Sequence, residues 1–185
     1  MIEVEKKFRP TKEQLTLLLK DAEFVSEKVL EDIYYDYSDC RLFKNYIYFR
    51  NRNGNFELKI GDDEISGISD EIEKEKDIKL YFKTEKSLPD FIAENLVPII
   101  HWETSRKKYK KGEFTIDIDE LDFGYECIEI ELLVADKSEV GEAKNKILEL
   151  ARQYDLEIKD VPAKRREYFR LLKPEIYKEL FGANN

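Results

Sequence analysis

The sequence is short of the residues on which several common chemistries depend. Two of its 185 residues are cysteine and one is histidine. Cys40 and Cys127 lie far apart and match no metal or redox spacing, so the expected setting is the reduced cytoplasm. A lone histidine, His101, rules out a His-rich metal centre and a His-based triad, and reads as an ordinary strand or loop residue. No apolar run approaches the ~20 residues of a membrane span, and the opening residues lack the long apolar core of a signal peptide. With only seven glycines and five prolines, there is no Gly/Pro/Ser-rich linker, no low-complexity tract and no fixed-period repeat. Positive charge is also in the minority: 32 Lys and Arg against 41 Asp and Glu, a net charge of -9. That balance excludes a general nucleic-acid or membrane-surface binder, whose footprint is basic, while leaving room for a local basic pocket.

What is present is charge and hydrophobic pattern together. Charged residues make up 39% and hydrophobic residues 42%, the composition of a globular chain expected to form one domain over residues 1–185. The first eight residues read as a strand. Thr11 with Gln14 forms a capping box opening a helix that carries Leu15, Leu18 and Leu19. Strands are expected over 24–37 and 46–52, the latter turning at Asn53-Gly54 into 56–60. Residues 61–67 read as a loop, 71–76 as a strand with alternating acids, and 88–95 as a short helix. Further strands fall over 99–110, 114–119 and 127–134, with a turn at Lys111-Gly112. Asp136 and Glu139 form a second capping box before a helix bearing Val140, Ala143, Ile147, Leu150 and Tyr154, and the chain is helical again from Pro162. About eight strands in hairpin order with amphipathic helices outside predict an α+β fold built on an antiparallel, closed barrel.

Strand side chains alternate, so each strand has two faces. Glu3, Glu5 and Lys7 oppose Ile2, Val4 and Phe8; Asp117 and Asp119 oppose Phe114, Ile116 and Ile118; Glu129 and Glu131 oppose Ile128, Ile130 and Leu132. Arg50 and Arg52 share a face, as do Glu57 and Lys59, and Arg106, Lys108 and Lys110. One such strand would be a solvated surface. Amphipathic helices must bury their stripes against the apolar faces, however, which turns the charged faces inward. An interior holding both signs is too costly to desolvate unless its charges are paired, wet or engaged with a charged ligand. Carboxylates hold Mg²⁺ or Mn²⁺ through oxygen, and Arg and Lys hold phosphate oxygens, so the expected ligand is a metal-bound polyphosphate.

The segment Glu3-Val4-Glu5-Lys6-Lys7 resembles the ExExK signature of the CYTH superfamily, the triphosphate tunnel metalloenzymes. Arg50-x-Arg52, Glu57-Leu58-Lys59, Ser105-Arg106-Lys107, Asp117-x-Asp119, Asp122-Phe123-Gly124-Tyr125, Glu129-x-Glu131 and Pro162-Ala163-Lys164 extend the resemblance over essentially the whole chain. The Asp-Phe-Gly-Tyr segment is most similar to the thiamine triphosphatase branch. The resemblance implies an eight-stranded tunnel that hydrolyses a triphosphate, thiamine triphosphate or inorganic tripolyphosphate, with Mg²⁺ or alternatively Mn²⁺. By position, Glu3, Glu5, Asp117, Glu129 and Glu131 would hold the metal, and Lys7, Arg50, Arg52, Lys59, Arg106 and Lys164 the phosphates. Lys59 would be the base or organiser for the attacking water, and a fifth-strand acid falls on Glu73 or Glu75. Where the thiamine branch stacks a Trp on the thiamine ring, this chain has Tyr48. Two alternatives use the same groups: a class IV adenylyl cyclase making cyclic AMP, and a non-catalytic binder of polyphosphate or nucleotides. The expected partner is a small-molecule triphosphate, without nucleic acid or membrane, in a monomer or homodimer.

Overall fold

A computed structural model describes residues 2–61 and 68–182. The strands are β1 (Ile2–Phe8), β2 (Glu23–Asp36), β3 (Ile47–Arg52), β4 (Asn55–Gly61), β5 (Ile68–Ile72), β6 (Val97–Lys111), β7 (Phe114–Leu121) and β8 (Glu126–Val134). The helices are α1 (Lys12–Leu19), α2 (Glu75–Phe82), α3 (Leu88–Asn95), α4 (Val140–Gln153), α5 (Lys164–Leu172) and α6 (Pro174–Phe181). The eight strands form an antiparallel sheet that closes in a ring in the order β1-β5-β4-β3-β2-β6-β7-β8. The α+β reading of the sequence therefore stands.

Local chemistry accounts for most boundaries. Thr11 and Gln14 make the expected capping box, Thr11 Oγ1 accepting from the Gln14 N–H at 3.3 Å and Gln14 Oε1 from the Thr11 N–H at 2.8 Å. Asn53 (φ 49°) and Gly54 (φ 87°) are left-handed, the geometry of a two-residue hairpin that follows the sheet's twist. The Asp136–Glu139 box opens a single 3-10 turn, from which α4 runs on.

One expectation is corrected. The strand read over 71–76 ends at Ile72, and a helix absent from the sequence reading, α2, begins at Glu75. Glu75 and Asp77 sit in its first turn, where carboxylates complement the positive end of the helix dipole, and Ile78 is fully buried. The loop read over 61–67 lies, beyond Gly61, outside the described residues.

The chain divides into two compact units. In the first (residues 1–30, 61–71 and 103–161), Val4, Phe8, Ile116, Ile128, Ile130 and Leu132 of the strands pack against Leu18 of α1 and Ala143, Ile147, Leu150 and Ala151 of α4. In the second (residues 31–60, 72–102 and 162–185), Phe49 and Leu58 pack against Ile78 of α2 and Leu88 and Phe91 of α3. Each large aliphatic side chain so buried contributes about 1.5–3 kcal/mol. With the apolar faces of β1, β7 and β8 packed on α1 and α4, Glu3, Glu5, Lys7, Asp117, Asp119, Glu129 and Glu131 fall on the opposite face of the first unit.

Candidate active site

In the first unit, strand register lines up the charges. Lys7 pairs across β1/β8 with Glu129, Glu129 pairs across β8/β7 with Asp117, and Asp117 pairs across β7/β6 with Lys108. Beside this row, Glu5 pairs with Glu131, and Asp119 with Arg106. Directly opposed residues bring their Cβ atoms within ~5.5 Å, so the side chains must interact.

They do so as one ion-pair network. Lys7 Nζ lies 2.5 Å from Glu5 Oε1 and 3.1 Å from Glu129 Oε1. Arg106 donates through Nε and Nη2 to both oxygens of Asp119 at 2.7 and 2.5 Å, through Nη1 to Asp117 Oδ2 at 2.6 Å, and through Nη2 to Glu129 Oε2 at 2.8 Å. Lys108 Nζ stands 3.0 Å from Asp117 Oδ1 and 3.9 Å from Glu131 Oε2. Asp117 and Asp119 are fully buried.

Proton affinities follow from this crowding. Burial, joined by the neighbouring charges of Glu3, Asp117 and Glu129, pushes the Glu131 carboxyl up to about 9. Burial raises the Asp117 carboxyl as well, although Arg106 and Lys108 oppose it. Burial also works against the charge of Lys7, but Glu5 and Glu129 outweigh it and hold the ammonium well above its ordinary range. Two carboxylate triads share Glu131: Glu3–Glu5–Glu131 and Asp117–Glu129–Glu131, each with ligand oxygens within 4.8 Å of one another. An all-oxygen donor set with carboxylates forced together by the fold suits a hard divalent cation such as Mg²⁺ or Mn²⁺.

The second unit carries a second charged cluster. Across β2 and β3, Asp32 opposes Arg52 and Tyr34 opposes Arg50; across β3 and β4, Arg50 opposes Glu57 and Tyr48 opposes Lys59. Arg50 donates from Nε to Glu57 Oε2 at 2.7 Å and from Nη1 to the Tyr34 hydroxyl at 3.1 Å. Burial opposes its charge, yet Tyr34, Asp32 and Glu57 raise its pKa further above the ordinary arginine value. Tyr48 is buried, with the Arg165 guanidinium 3.7 Å from its ring centroid and Phe43 edge-on at 4.9 Å. Lys164 and Arg165 are the first residues of α5, which buries Tyr168 and Phe169.

The residues singled out from sequence thus gather in two groups. Glu3, Glu5, Lys7, Arg106, Asp117, Glu129 and Glu131 lie in the first unit, and Tyr48, Arg50, Arg52, Lys59 and Lys164 in the second. Neither Glu73 nor Glu75 lies on β5: Glu73 follows the strand and Glu75 is helical. Because Ser69 pairs with Glu3, the β5 acid sharing the parity of Glu3 is Glu71. Asp32 was missed, although the alternation Asp32-x-Tyr34-x-Asp36 marks a polar face on β2. Lys108 and Asp119 were visible as face residues but were given no role.

A family model for the CYTH domain matches residues 1–164. Among solved structures, the PH1819 protein of Pyrococcus horikoshii OT3 is 28% identical with a TM-score of 0.64, covering 94% of this chain and 99% of that one. HpAC1 of Hippeastrum, a candidate adenylyl cyclase reported to have a dominant triphosphatase activity, is 15% identical with a TM-score of 0.60, covering 91% and 94%. A candidate adenylate cyclase of Vibrio parahaemolyticus is 19% identical with a TM-score of 0.58, covering 84% and 90%.

Proposed function

The chain belongs to the CYTH domain family, and from that premise we propose that it is a divalent-metal-dependent triphosphatase, releasing orthophosphate and a diphosphate. The observation that carries this reading is the pair of carboxylate triads meeting at Glu131, interleaved at ion-pair distance with Lys7, Arg106 and Lys108. Glu3, Glu5, Asp117, Glu129 and Glu131 would hold Mg²⁺ or Mn²⁺. A divalent ion held there would supply Lewis-acid stabilisation of the negative charge on the transferring phosphoryl group. Lys7, Arg50, Arg52, Arg106 and Lys164 hold phosphate oxygens and orient the chain of phosphates for in-line attack. Lys59, in its neutral form, takes the proton from the attacking water at Nζ.

Inorganic tripolyphosphate is the favoured substrate. A thiamine ring would need an aromatic face to stack on, and the ring of Tyr48, beside Arg50 on β3, is already covered by the guanidinium of Arg165. That contact favours a substrate anionic at both ends over one ending in a heteroaromatic cation. The Asp122–Tyr125 segment, the part of the chain closest to the thiamine triphosphatase branch, forms the β7–β8 turn with Gly124 at φ 85°.

The test is phosphate release with Mg²⁺ or Mn²⁺ from tripolyphosphate, thiamine triphosphate and ATP, with cyclic AMP assayed in parallel. Orthophosphate from tripolyphosphate at the highest kcat/KM is the expected result, abolished in Glu129→Gln. Cyclic AMP from ATP without orthophosphate identifies a cyclase instead. Binding of all three without turnover identifies a non-catalytic binder.

A further inference from the structure

Asp32 has no role in the chemistry above, yet it is one of the most enclosed charges of the second unit, 1% exposed. It lies on β2 directly opposite Arg52 of β3. Its Oδ1 accepts from Arg52 Nε at 2.7 Å and its Oδ2 from Arg52 Nη2 at 2.8 Å, a two-point fork. Oδ2 also accepts from the indole Nε1 of Trp102 at 3.1 Å. The Nε of Arg50 stands 3.7 Å from Oδ1. Burial works against the Asp32 charge, but Arg52, Arg50 and Trp102 together hold its carboxyl below the usual range.

The surroundings fix this carboxylate in turn. The indole of Trp102 packs against the rings of Tyr34 at 5.2 Å and Tyr168 at 5.5 Å, so a strand and a helix both bear on the donor that contacts Asp32. A buried ion pair serving stability alone needs no such backing, and an apolar pair of similar volume would do as well. A two-point fork does something that an apolar pair cannot. It fixes the plane of a guanidinium on a long, flexible stem and uses only its Nε–Nη2 edge.

From this geometry we infer that Asp32 is a positioning residue: it fixes the planes of Arg52 and, at longer range, Arg50, so that these cations meet phosphate oxygens already oriented. The inference rests on the reading of Arg50 and Arg52 as phosphate-binding groups. Preorganised donors lose less freedom on binding, so the effect belongs mainly in substrate affinity and less in the chemical step.

The test uses the full chain with tripolyphosphate and Mg²⁺ as the probe. Titration calorimetry gives Kd, steady-state kinetics give KM and kcat, and the Nε–H resonance of Arg52 reports its order without ligand. Asp32→Asn is expected to weaken Kd and raise KM by about tenfold or more, with a smaller change in kcat and a broadened Arg52 resonance. Asp32→Glu restores part of the affinity. Trp102→Phe, which keeps both charges and removes the indole donor together with part of the ring's volume, weakens binding by about two- to fivefold. An Asp32→Asn protein that binds within about twofold of wild type, or that loses kcat at unchanged KM, overturns the assignment. Should that variant not fold, Trp102→Phe decides: unchanged Kd and an unchanged Arg52 resonance overturn it equally. Wild-type protein that binds tripolyphosphate but hydrolyses no triphosphate overturns the triphosphatase reading and leaves the Asp32 comparison standing. Wild-type protein that fails to bind tripolyphosphate overturns both.

Discussion

Arg106 and Asp119 meet edge to edge across β6 and β7, Nε to Oδ1 at 2.7 Å and Nη2 to Oδ2 at 2.5 Å. The same guanidinium reaches Asp117 on β7 and Glu129 on β8, so one cation ties three strands together through three buried or nearly buried carboxylates. Its pKa is raised well above the arginine norm: burial opposes the charge, but Glu129, Asp119 and Asp117 overcome it. Lysine could supply the charge but not the planar fork.

Arg106→Ala is therefore expected to destabilise the metal-free protein by about 3–5 kcal/mol, the cost of leaving buried carboxylates without their cation. Arg106→Lys should lose less, because a point charge still reaches one or two of the three. Urea denaturation of the two variants checks the ordering. An alanine variant within about 1 kcal/mol of wild type would mean that these acids are neutralised another way.

Glu131 sets the pH dependence. Its folded-state value near 9 lies above the ordinary 4.5, so the folded protein keeps a proton that the unfolded chain has already released. By linkage, the stability of the metal-free protein falls as pH rises between those two values, and the loss is complete only above about 9. A divalent ion reverses the sign, because the ligand must lose its proton to bind. Mg²⁺ affinity should climb with pH across the neutral range, with proton release measurable by calorimetry in buffers of different ionisation heat. Glu131→Gln should flatten the alkaline loss of stability and abolish the Mg²⁺-induced rise in Tm. A Mg²⁺ affinity independent of pH would contradict this account.

Much of this was legible because strands repeat every two residues. In β1, β7 and β8 the alternation holds through the key positions, interrupted at Lys6 and near the ends of β7 and β8, so Glu3, Glu5, Asp117, Glu129 and Glu131 could be placed on one side and their apolar neighbours on the other from the sequence. The boundary near residue 73 was not legible. Acids at Glu71, Glu73 and Glu75 fit strand alternation, and Glu75 with Asp77 equally fits the acidic first turn of a helix. The three share one parity, so only the end of β5 at Ile72 singles out Glu71, and the pairing of Ser69 with Glu3 then puts it on the face of Glu3. Asp32 was illegible for another reason: its importance lies in Arg52 and Trp102, partners distant along the chain. The proton held by Glu131 depends likewise on carboxylates from β1, β7 and β8 that no local pattern brings together.

Arg165 over Tyr48 predicts a change of substrate preference on mutation. Arg165→Ala removes a cation–π contact worth about 0.5–2 kcal/mol and uncovers the ring. Relative kcat/KM for thiamine triphosphate against tripolyphosphate should rise by about tenfold as stacking becomes available, at a small loss of thermal stability. An unchanged ratio would remove Tyr48 from the account of specificity.

Lys59 is half-buried on β4, opposite Tyr48 and one pair along from Arg50–Glu57. A lysine acting as base must be neutral, and its ordinary pKa is about 10.4, so activity should rise with pH from neutral well into the alkaline range. Lys59→Arg separates charge from proton transfer: arginine keeps the cation for the phosphates but does not deprotonate in this range. The variant should bind tripolyphosphate nearly as well as wild type while losing about 10²–10⁴ in kcat, with the alkaline rise gone. A kcat within about tenfold of wild type, or an activity plateau from acidic to neutral pH in the unmodified protein, would reassign Lys59 to holding phosphate and leave the attacking water to a coordinated metal ion.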